Sequence, residues 1–367
     1  MENLTDDVIF YGILTKLPTK SLSRFSCVNK LWCAWITSPQ FAKLQLLNQN
    51  SSTLTEDDLI ALVTLRDQRL FSLPNNGLNN PVEMDYPFKS PCTYAYILGS
   101  CNGLLLVQIY DINDAGDPPK YLRLYIWNPC RKDDYLTLPP RIYTSLGEYH
   151  SYEVAVGFGH DSTTDDYKVI IINSKSTTKE GRRQDEEKLL NFWEDGKRFM
   201  IYFDIKSEKW REIPFAMNLE EGDDDEYELE LEPELGMTRR GKLYVHYTKY
   251  RHCSDVFDVD YCTYVHVLMN KEKEFYGYWS EVCCLSSEGD PKVRAVLKVM
   301  VEDNIVLVSL DDNGGGGDKL AFYNFVECRR LITNAVVEVL NTRPYRDLRW
   351  HDAVHCRRSL VSPRQLT

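Results

Sequence analysis

The sequence has no long apolar run, and its first residues do not have the pattern of a secretory leader. None of its apolar stretches approaches the roughly 18 residues that a membrane-spanning helix needs. Residues 1–7 are acidic and lack the basic and then apolar segments of a secretory signal. We therefore expect neither membrane insertion nor secretion, and we predict a location in the cytoplasm, the nucleus or both.

The cysteines lack the spacing of a disulfide framework or a zinc finger. Without a secretory signal, the 11 cysteines are typical of reduced intracellular thiols. One region does gather candidate metal ligands, namely His246, His252, Cys253, Cys262 and His266. Structural zinc sites usually join two pairs of ligands, each pair about two to four residues apart, and this region does not show two such pairs. We therefore predict no metal ion and no other cofactor.

A dense basic segment is also missing. The formal net charge is −12 at pH 7, and ten of the acidic residues fall between positions 220 and 234. Nucleic acids are bound through clustered lysines and arginines, so a nucleic-acid partner is not expected. The acidic run and the polar stretch at 174–197 are predicted to be solvated loops. An acidic loop would favour a basic target protein.

No catalytic signature stands out. The sequence has no Gly-x-Ser-x-Gly elbow, and the glycines at 314–317 lack the Lys-Ser/Thr of a phosphate-binding loop. Carboxylates are numerous, but the sequence singles out no pair as an acid–base couple. We therefore predict no catalytic residue.

Residues 1–47 have the periodicity of three or four short helices. Pro18 ends the first helix, Thr19 can cap the second, and Ser38 with Pro39 begins the last. So small a unit buries little surface, and its apolar side chains are too many to be covered within it. We expect this helical module to need a partner.

Residues 48–367 consist of short apolar and aromatic runs separated by turn residues. The clearest hairpins lie at 59–74, 122–139 and 200–214. Repeated hairpins without intervening helices favour a sandwich, barrel or propeller, and about 300 residues of them favour a propeller. The predicted fold class is therefore α+β in two parts, with a small helical module at 1–47 and an all-β propeller-like domain at 48–367.

The helical module carries an ordered run of residues that is typical of one family. Residues 17–32 read LPTKSLSRFSCVNKLW and match the pattern Leu-Pro-x-Lys-Ser-Leu-x-Arg-Phe-x-Cys-Val-x-Lys-x-Trp. The module therefore resembles an F-box, the helical unit by which substrate receptors dock onto the Skp-type adaptor of SCF ubiquitin ligases. Gly12 is one residue more than the usual first helix of that family holds. A bulge in the helix would absorb it.

The β region carries a second ordered set of motifs. These are SCNGLL at 100–105, IWNPCR at 126–131, GFGHD at 157–161, DYKV at 166–169, Trp210-Arg211 and GKLY at 241–244. The set is similar to the F-box-associated, kelch-like propeller domain of plant F-box proteins. The hairpins and the SLVSP segment at 359–363 resemble the branch that includes the S-locus F-box proteins.

This resemblance implies a non-catalytic substrate receptor of an SCF-type cullin-RING ubiquitin ligase. The helical module would bind the Skp-type adaptor, and through it the cullin and RING subunits, while the β domain would hold a target protein for ubiquitination and proteasomal degradation. The implied adaptor-binding residues are Leu14, Leu17, Pro18, Leu22, Cys27, Val28, Trp32 and Ile36. The target and the residues that bind it are left open.

Two alternatives stay open at this point. The apolar residues of the helical module could all be core, with the module packed on the β domain instead of on a partner. The chain could also be a β-propeller enzyme, such as a glycan hydrolase, with a helical appendage. An enzyme of that kind would have a polar pocket of convergent carboxylates near the propeller axis.

Overall fold

The structure is a computed structural model. It describes residues 5–50, 58–64, 69–74, 82–90, 93–111, 121–142, 152–175, 177–179, 182–184, 199–204, 207–214, 228–238, 243–252, 259–269, 278–286, 293–302, 305–312, 319–324, 336–339 and 350–365. The glycines at 314–317 lie outside these residues.

Short helices form the N-terminal unit. They are a π-helix (Val8–Ile13), a 3-10 helix (Leu14–Lys16), α1 (Thr19–Phe25), α2 (Lys30–Ile36) and α3 (Pro39–Asn50). One further 3-10 helix, Pro363–Gln365, follows the last strand. Helix α3 runs past the predicted boundary between residues 47 and 48, and that division of the chain stays a prediction.

The rest of the described chain is built from antiparallel strands. The strands are β1 (Asp58–Thr64), β2 (Leu70–Pro74), β3 (Val82–Met84), β4 (Thr93–Cys101), β5 (Leu104–Asp111), β6 (Tyr121–Trp127), β7 (Tyr135–Thr137), β8 (Arg141–Ile142), β9 (Tyr152–Asp161), β10 (Asp166–Lys175), β11 (Thr177–Lys179), β12 (Arg182–Gln184), β13 (Phe199–Asp204), β14 (Lys209–Pro214), β15 (Glu228–Met237), β16 (Leu243–His252), β17 (Val259–Met269), β18 (Tyr278–Ser286), β19 (Val293–Glu302), β20 (Ile305–Asp312), β21 (Lys319–Asn324), β22 (Val336–Val339) and β23 (Trp350–Arg357).

Consecutive strands pair into separate sheets of up to five strands. The larger sheets have the orders β23-β1-β2-β3, β4-β5-β6-β7 with β8 beside β6, β15-β16-β17-β18 and β19-β20-β21-β22. In the first of them the last strand, β23, pairs with β1. Within each of these sheets, neighbouring strands run antiparallel. The predicted two-part fold class, a helical unit followed by an antiparallel β domain, is confirmed.

The predicted hairpins are present, and two predicted loops need correction. Strand pairs β1–β2, β6–β7 and β13–β14 lie where the sequence placed them. Within the stretch predicted as a loop at 174–197, however, β11 and β12 form a short hairpin. The acidic run is also partly strand, because β15 begins at Glu228 and pairs with β16. Its residues from 228 to 232 alternate between Glu and Leu, which is a strand period and not a loop signal.

A π-helical turn absorbs the extra residue of the first helix. Val8–Ile13 are π-helical, and the backbone N–H of Leu14 donates to the Ile9 carbonyl as well as to the Phe10 carbonyl. A π-turn amounts to one residue inserted into an α-helix. Phe10 before Gly12 and Leu14 after it therefore both stay in the core.

Side chains cap α2 and α3, whereas the cap predicted for α1 is wrong. The Ser38 hydroxyl accepts a hydrogen bond from the Phe41 N–H at 3.2 Å, as expected for the start of α3. Asn29 accepts one from the Trp32 N–H at 2.8 Å and caps α2. Thr19 is instead the first residue of α1, and its buried hydroxyl donates to the Arg358 carbonyl 3.2 Å away. The Thr19 hydroxyl, which was predicted to cap α1, is thus hydrogen-bonded to a carbonyl near the other end of the chain.

The helical unit packs directly on the β domain. Its own core consists of Phe10, Leu14, Leu22, Ile36 and Phe41. Leu360 contacts this core, and it also contacts a second core that Ala42 of α3 shares with side chains of β5 and β6. The alternative in which the module packs on the β domain is therefore correct for α3.

Candidate protein-interaction surface

Three of the eight predicted adaptor-binding residues are core residues of the helical unit. Leu14, Leu22 and Ile36 are 1%, 0% and 3% exposed and belong to one cluster. They could touch a partner only if the unit opened. In the folded chain they hold the elements that carry the surface residues.

The other five predicted residues reach the surface to different extents. Leu17 and Trp32 are partly buried against the core of the unit. Pro18, Cys27 and Val28 are exposed, and Val28 is 59% exposed. The structure therefore keeps these five as candidates for direct contact.

Hydrogen bonds hold the turn that presents Val28 between α1 and α2. The N–H groups of Cys27 and Val28 donate to the carbonyls of Arg24 and Phe25 at 3.1 and 3.0 Å. The Asn29 cap then starts α2 at the next residue. These hydrogen bonds fix the backbone on both sides of Val28 and so define where its side chain leaves the turn.

Sequence reasoning missed four exposed apolar residues in the part of the helical unit before α3, namely Val8, Tyr11, Ile13 and Leu31, and one on α3, Leu47. For Leu31 the signal was available, because residues 31 and 35 share one helical face and residues 32 and 36 share a neighbouring one. An α2 that is apolar on two faces cannot bury both in so small a unit. The extra residue at Gly12 rotates the part of the helix before it by about 100° relative to the part after it. Helical spacing alone therefore did not show that Val8, Tyr11 and Ile13 are exposed.

We refer to Val8, Tyr11, Ile13, Val28 and Leu31 as the exposed apolar set. Aromatic contacts tie the elements that carry it together. The Phe10 ring packs edge-to-face on Trp35 of α2 with 5.2 Å between ring centroids, and Phe25 of α1 packs on Trp32 at 5.7 Å. The set therefore sits on a packed scaffold and not on independent segments.

Asn128 of the IWNPCR motif anchors a segment that lies between the two parts of the protein. Its side chain is fully buried, and its amide donates to the carbonyls of Ser359 and Val361 at 2.9 and 2.7 Å. Its side-chain oxygen accepts from the Cys130 N–H at 2.8 Å. We refer to residues 358–363 as the junction segment, because Leu360 within it contacts the cores of both parts.

Charged side chains near Asn128 bind the same stretch of chain. Arg131 donates to the Leu360 carbonyl at 3.3 Å, and the Ser362 hydroxyl donates to Asp134 at 2.9 Å. Arg364 donates to the Asp133 carbonyl at 2.7 Å. The turn after β6 thus holds the junction segment along its length.

The SCNGLL motif approaches the junction segment from the other side. Asn102 and Gly103 form the two-residue turn between β4 and β5, with φ values of 53° and 79° as a type I′ hairpin requires. A Cβ atom on Gly103 would lie 2.3 Å from the Arg357 carbonyl oxygen and 2.5 Å from the Ser359 Cβ. Glycine is therefore needed there both for its conformation and for this close approach.

An ion pair joins α3 to the turn between β9 and β10. Lys43 pairs with Asp165, whose other carboxylate oxygen lies 3.2 Å from His160 Nε2. The Lys43 hydrogen bond holds the pKa of Asp165 below its ordinary value. Both partners are about half exposed, so the pair contributes at most about 1 kcal/mol and mainly adds to the orientation of α3.

The two candidate metal ligands whose side chains the structure describes, His246 and His266, do not converge. His246 on β16 and His266 on β17 are both buried, but His266 lies opposite Val245 in the register, and His246 lies opposite Val265. Directly opposed residues share a face and neighbours alternate, so the two imidazoles point to opposite faces of the sheet. Cys253 lies outside the described residues. Within the described part, no three His, Cys, Asp or Glu side chains are grouped so that they could hold a metal ion.

Comparison with known proteins connects this surface to a family. The profile of the F-box domain matches residues 3–44, a range that contains the whole exposed apolar set. The chain carries an F-box domain. The F-box predicted from the run at 17–32 is confirmed, and it ends within α3.

Several curated relatives are F-box proteins of Arabidopsis thaliana. The F-box/kelch-repeat protein At3g23880 is 32% identical over 170 residues, which cover 44% of this chain and 42% of the relative. The F-box protein At3g07870 is 28% identical over 183 residues, 47% of this chain and 38% of the relative. The F-box protein CPR1 is 27% identical over 162 residues, 44% of this chain and 36% of the relative.

The similarity to plant F-box proteins is thus confirmed, while the S-locus branch stays a prediction. The chain spans about two fifths of the length of these curated relatives. Among the described residues, no helix is both long enough and apolar enough to cross a membrane.

Proposed function

We propose that this chain is the substrate-recognition subunit of an SCF-type cullin-RING ubiquitin ligase. Its F-box would dock on a Skp-type adaptor, which brings the cullin and the RING subunit. The β domain would bind a target protein, and proximity would direct ubiquitin to the lysines of that target for proteasomal degradation. In this role the chain binds and positions proteins and catalyses no step itself, and we expect it in the cytoplasm, the nucleus or both.

The observation that carries the proposal is the exposed apolar set on the F-box. Val28 is 59% exposed and Leu31 46% exposed, although both lie beside a well-packed core. Scattered exposed apolar residues are normal on a protein surface, but several on neighbouring helices favour a protein partner. The F-box match over the same residues favours the Skp-type adaptor as that partner.

The eight residues implied by the family resemblance divide into two roles in this proposal. Direct contact with the adaptor is proposed for Leu17, Pro18, Cys27, Val28 and Trp32. Support from beneath is proposed for the buried residues Leu14, Leu22 and Ile36. Among the residues that sequence reasoning missed, Leu31 is the strongest addition because it lies on α2 with Trp32.

The packing of the F-box on the β domain supports a bridging role. The junction segment contacts both cores, and Asn128 fixes it by hydrogen bonds from the β domain. A receptor must hold its target at a defined distance from the ligase, and a packed junction keeps that distance better than a flexible linker.

The test is the affinity of the full chain for a purified Skp-type adaptor. Val28→Asp and Leu31→Asp should each weaken binding about 10- to 100-fold, since burying one such side chain contributes about 1.5–3 kcal/mol. Leu47→Asp is the matched control, because Leu47 is an equally apolar residue of α3, 65% exposed and outside the F-box match. All three positions are exposed, so the unfolding midpoints should change little.

The proposal fails if the wild-type chain does not bind the adaptor at high micromolar concentration. If Leu47→Asp weakens binding as much as Val28→Asp does, the exposed apolar set is not the adaptor-binding surface. Deletion of residues 1–50 would not be informative, because α3 supplies part of the core of the β domain.

A further inference from the structure

A polar cleft lies where α1, the junction segment and the turn after β6 meet. Its volume is about 580 Å³, and residues of α2, β2 and β3 complete its walls. None of the described residues that line it is acidic, although the chain has a net charge of −12. An acid-free cleft in an acidic protein is suited to an anion.

Three cationic side chains line the cleft, Lys20 from α1, Arg131 from the turn and Arg358 from the junction segment. Arg131 is partly committed, because its Nε lies 3.1 Å from a carboxylate oxygen of Asp134 and its Nη1 donates to the Leu360 carbonyl. Within the described part of the chain, Lys20 and Arg358 form no ion pair. Two of the three charges are therefore available to a ligand.

Three hydroxyl groups of the cleft already donate to backbone carbonyls. Ser23, Ser26 and Thr37 line the cleft, and each donates its hydroxyl proton to a backbone carbonyl of the F-box helices, at 3.2, 2.8 and 2.8 Å. The donors left for a ligand are thus mainly those of Lys20 and Arg358. Recognition in this cleft would depend on charge.

Apolar side chains make up part of the wall. Met84 and Leu360 line the cleft beside the cations, and Ile36 closes it from α2. Charge–charge attraction is stronger next to such low-dielectric groups than in open water. Guanidinium and ammonium groups both bind phosphate, whose several oxygens accept hydrogen bonds and whose charge is close to −2 at neutral pH.

From this lining we propose that the cleft binds a phosphate-bearing group. The phosphate could be carried by a soluble phosphorylated molecule or by a phosphorylated residue of a peptide. It would lie between Lys20 of the F-box and Arg358 of the junction segment, and it would link the two parts of the protein. No member of the exposed apolar set lines the cleft, but Ile36, which is proposed to support the adaptor surface from beneath, does, so the cleft borders that surface without including its exposed residues.

The experiment measures phosphate binding to the full chain by calorimetry at constant ionic strength, because charge interactions are screened by salt. Inorganic phosphate and a short phosphoserine peptide are the two probes, and the unphosphorylated peptide is the reference. Lys20→Gln and Arg358→Gln should each weaken binding about tenfold, the effect of losing one charged hydrogen bond. Arg24→Gln is the matched control, because Arg24 is an exposed cation of the same helix that does not line the cleft.

The results separate the possible sources. Tighter binding of the phosphopeptide than of inorganic phosphate, with no binding of the unphosphorylated peptide, assigns the site to a phosphorylated residue. Equal affinity for both probes assigns it to a soluble phosphate. Arg358→Lys keeps the charge and should retain most of the affinity, which guards against a merely structural effect. Absence of saturable binding to the wild-type chain, or an equal loss in Arg24→Gln, would overturn the proposal.

Discussion

Replacement of Asn128 tests how the two parts of the protein are held together. The Asn128 side chain is 0% exposed and uses its amide protons and its oxygen in three hydrogen bonds. Two of these reach carbonyls of the junction segment, more than 200 residues away in sequence. In Asn128→Ala all three bonds are lost, and those carbonyls lose their partner in a buried place.

The expected cost follows from these bonds. One intramolecular hydrogen bond contributes about 1 kcal/mol net, so the loss of three lowers the free energy of unfolding by about 3 kcal/mol. In Asn128→Asp the size of the side chain is kept, but a carboxylate cannot donate and would face two carbonyl oxygens. That variant should lose at least as much stability as Asn128→Ala, although no cavity forms.

Urea unfolding followed by tryptophan fluorescence measures the effect as a lower midpoint at unchanged slope. Gln40→Ala is the control, since Gln40 is exposed on α3 and such changes are usually within about 0.5 kcal/mol. Limited proteolysis should also cut the Asn128 variants near the junction segment sooner than the control. A loss below about 1 kcal/mol, or a proteolysis pattern like that of the wild type, would refute the anchoring role of Asn128.

Three further predictions concern single positions. Gly103→Ala should lower the free energy of unfolding by about 2–5 kcal/mol, because its Cβ would overlap the junction segment and its φ is positive, and a normal urea midpoint would contradict this. Deletion of Gly12 should leave the thermal midpoint unchanged or raise it, since it removes a helix glycine worth about 1 kcal/mol and turns the π-turn into a regular helix, and a clear fall would show that the π-turn is needed. Burial lowers the pKa of His266 from its ordinary 6.5, so the unfolded chain takes up a proton that the folded chain resists, and stability falls as the pH drops from 7.5 to 5.5. In His266→Gln the free energy of unfolding, measured by urea titration at pH 7.5 and at pH 5.5, should differ less between the two pH values than in the wild type. An equal difference in the two proteins would exclude the effect.

Features that depend on neighbouring residues could be predicted from the sequence. The hairpins at β1–β2, β6–β7 and β13–β14 follow from apolar runs beside turn residues. The Ser38 cap of α3 follows from a hydroxyl placed before a proline. The F-box could be recognised because one unbroken run carries its pattern.

Predictions went wrong for two physical reasons. Thr19 has the local signature of a cap, but the carbonyl of Arg358, far along the chain, takes its hydrogen bond. The acidic run was assigned to a loop on its charge, although residues 228–232 alternate with a strand period and pair with β16.

The F-box, the antiparallel hairpins and the extra residue at Gly12 could be predicted before the fold was known, because they depend on residue types at short spacing. Which apolar residues of the F-box stay exposed and which become core depends on how α2 and α3 pack, so the fold was needed to separate them. It also brought Lys20, Arg131 and Arg358 to one cleft. The reason is that contacts between residues far apart in sequence are set by the packing of whole elements, and no short stretch of sequence encodes that packing.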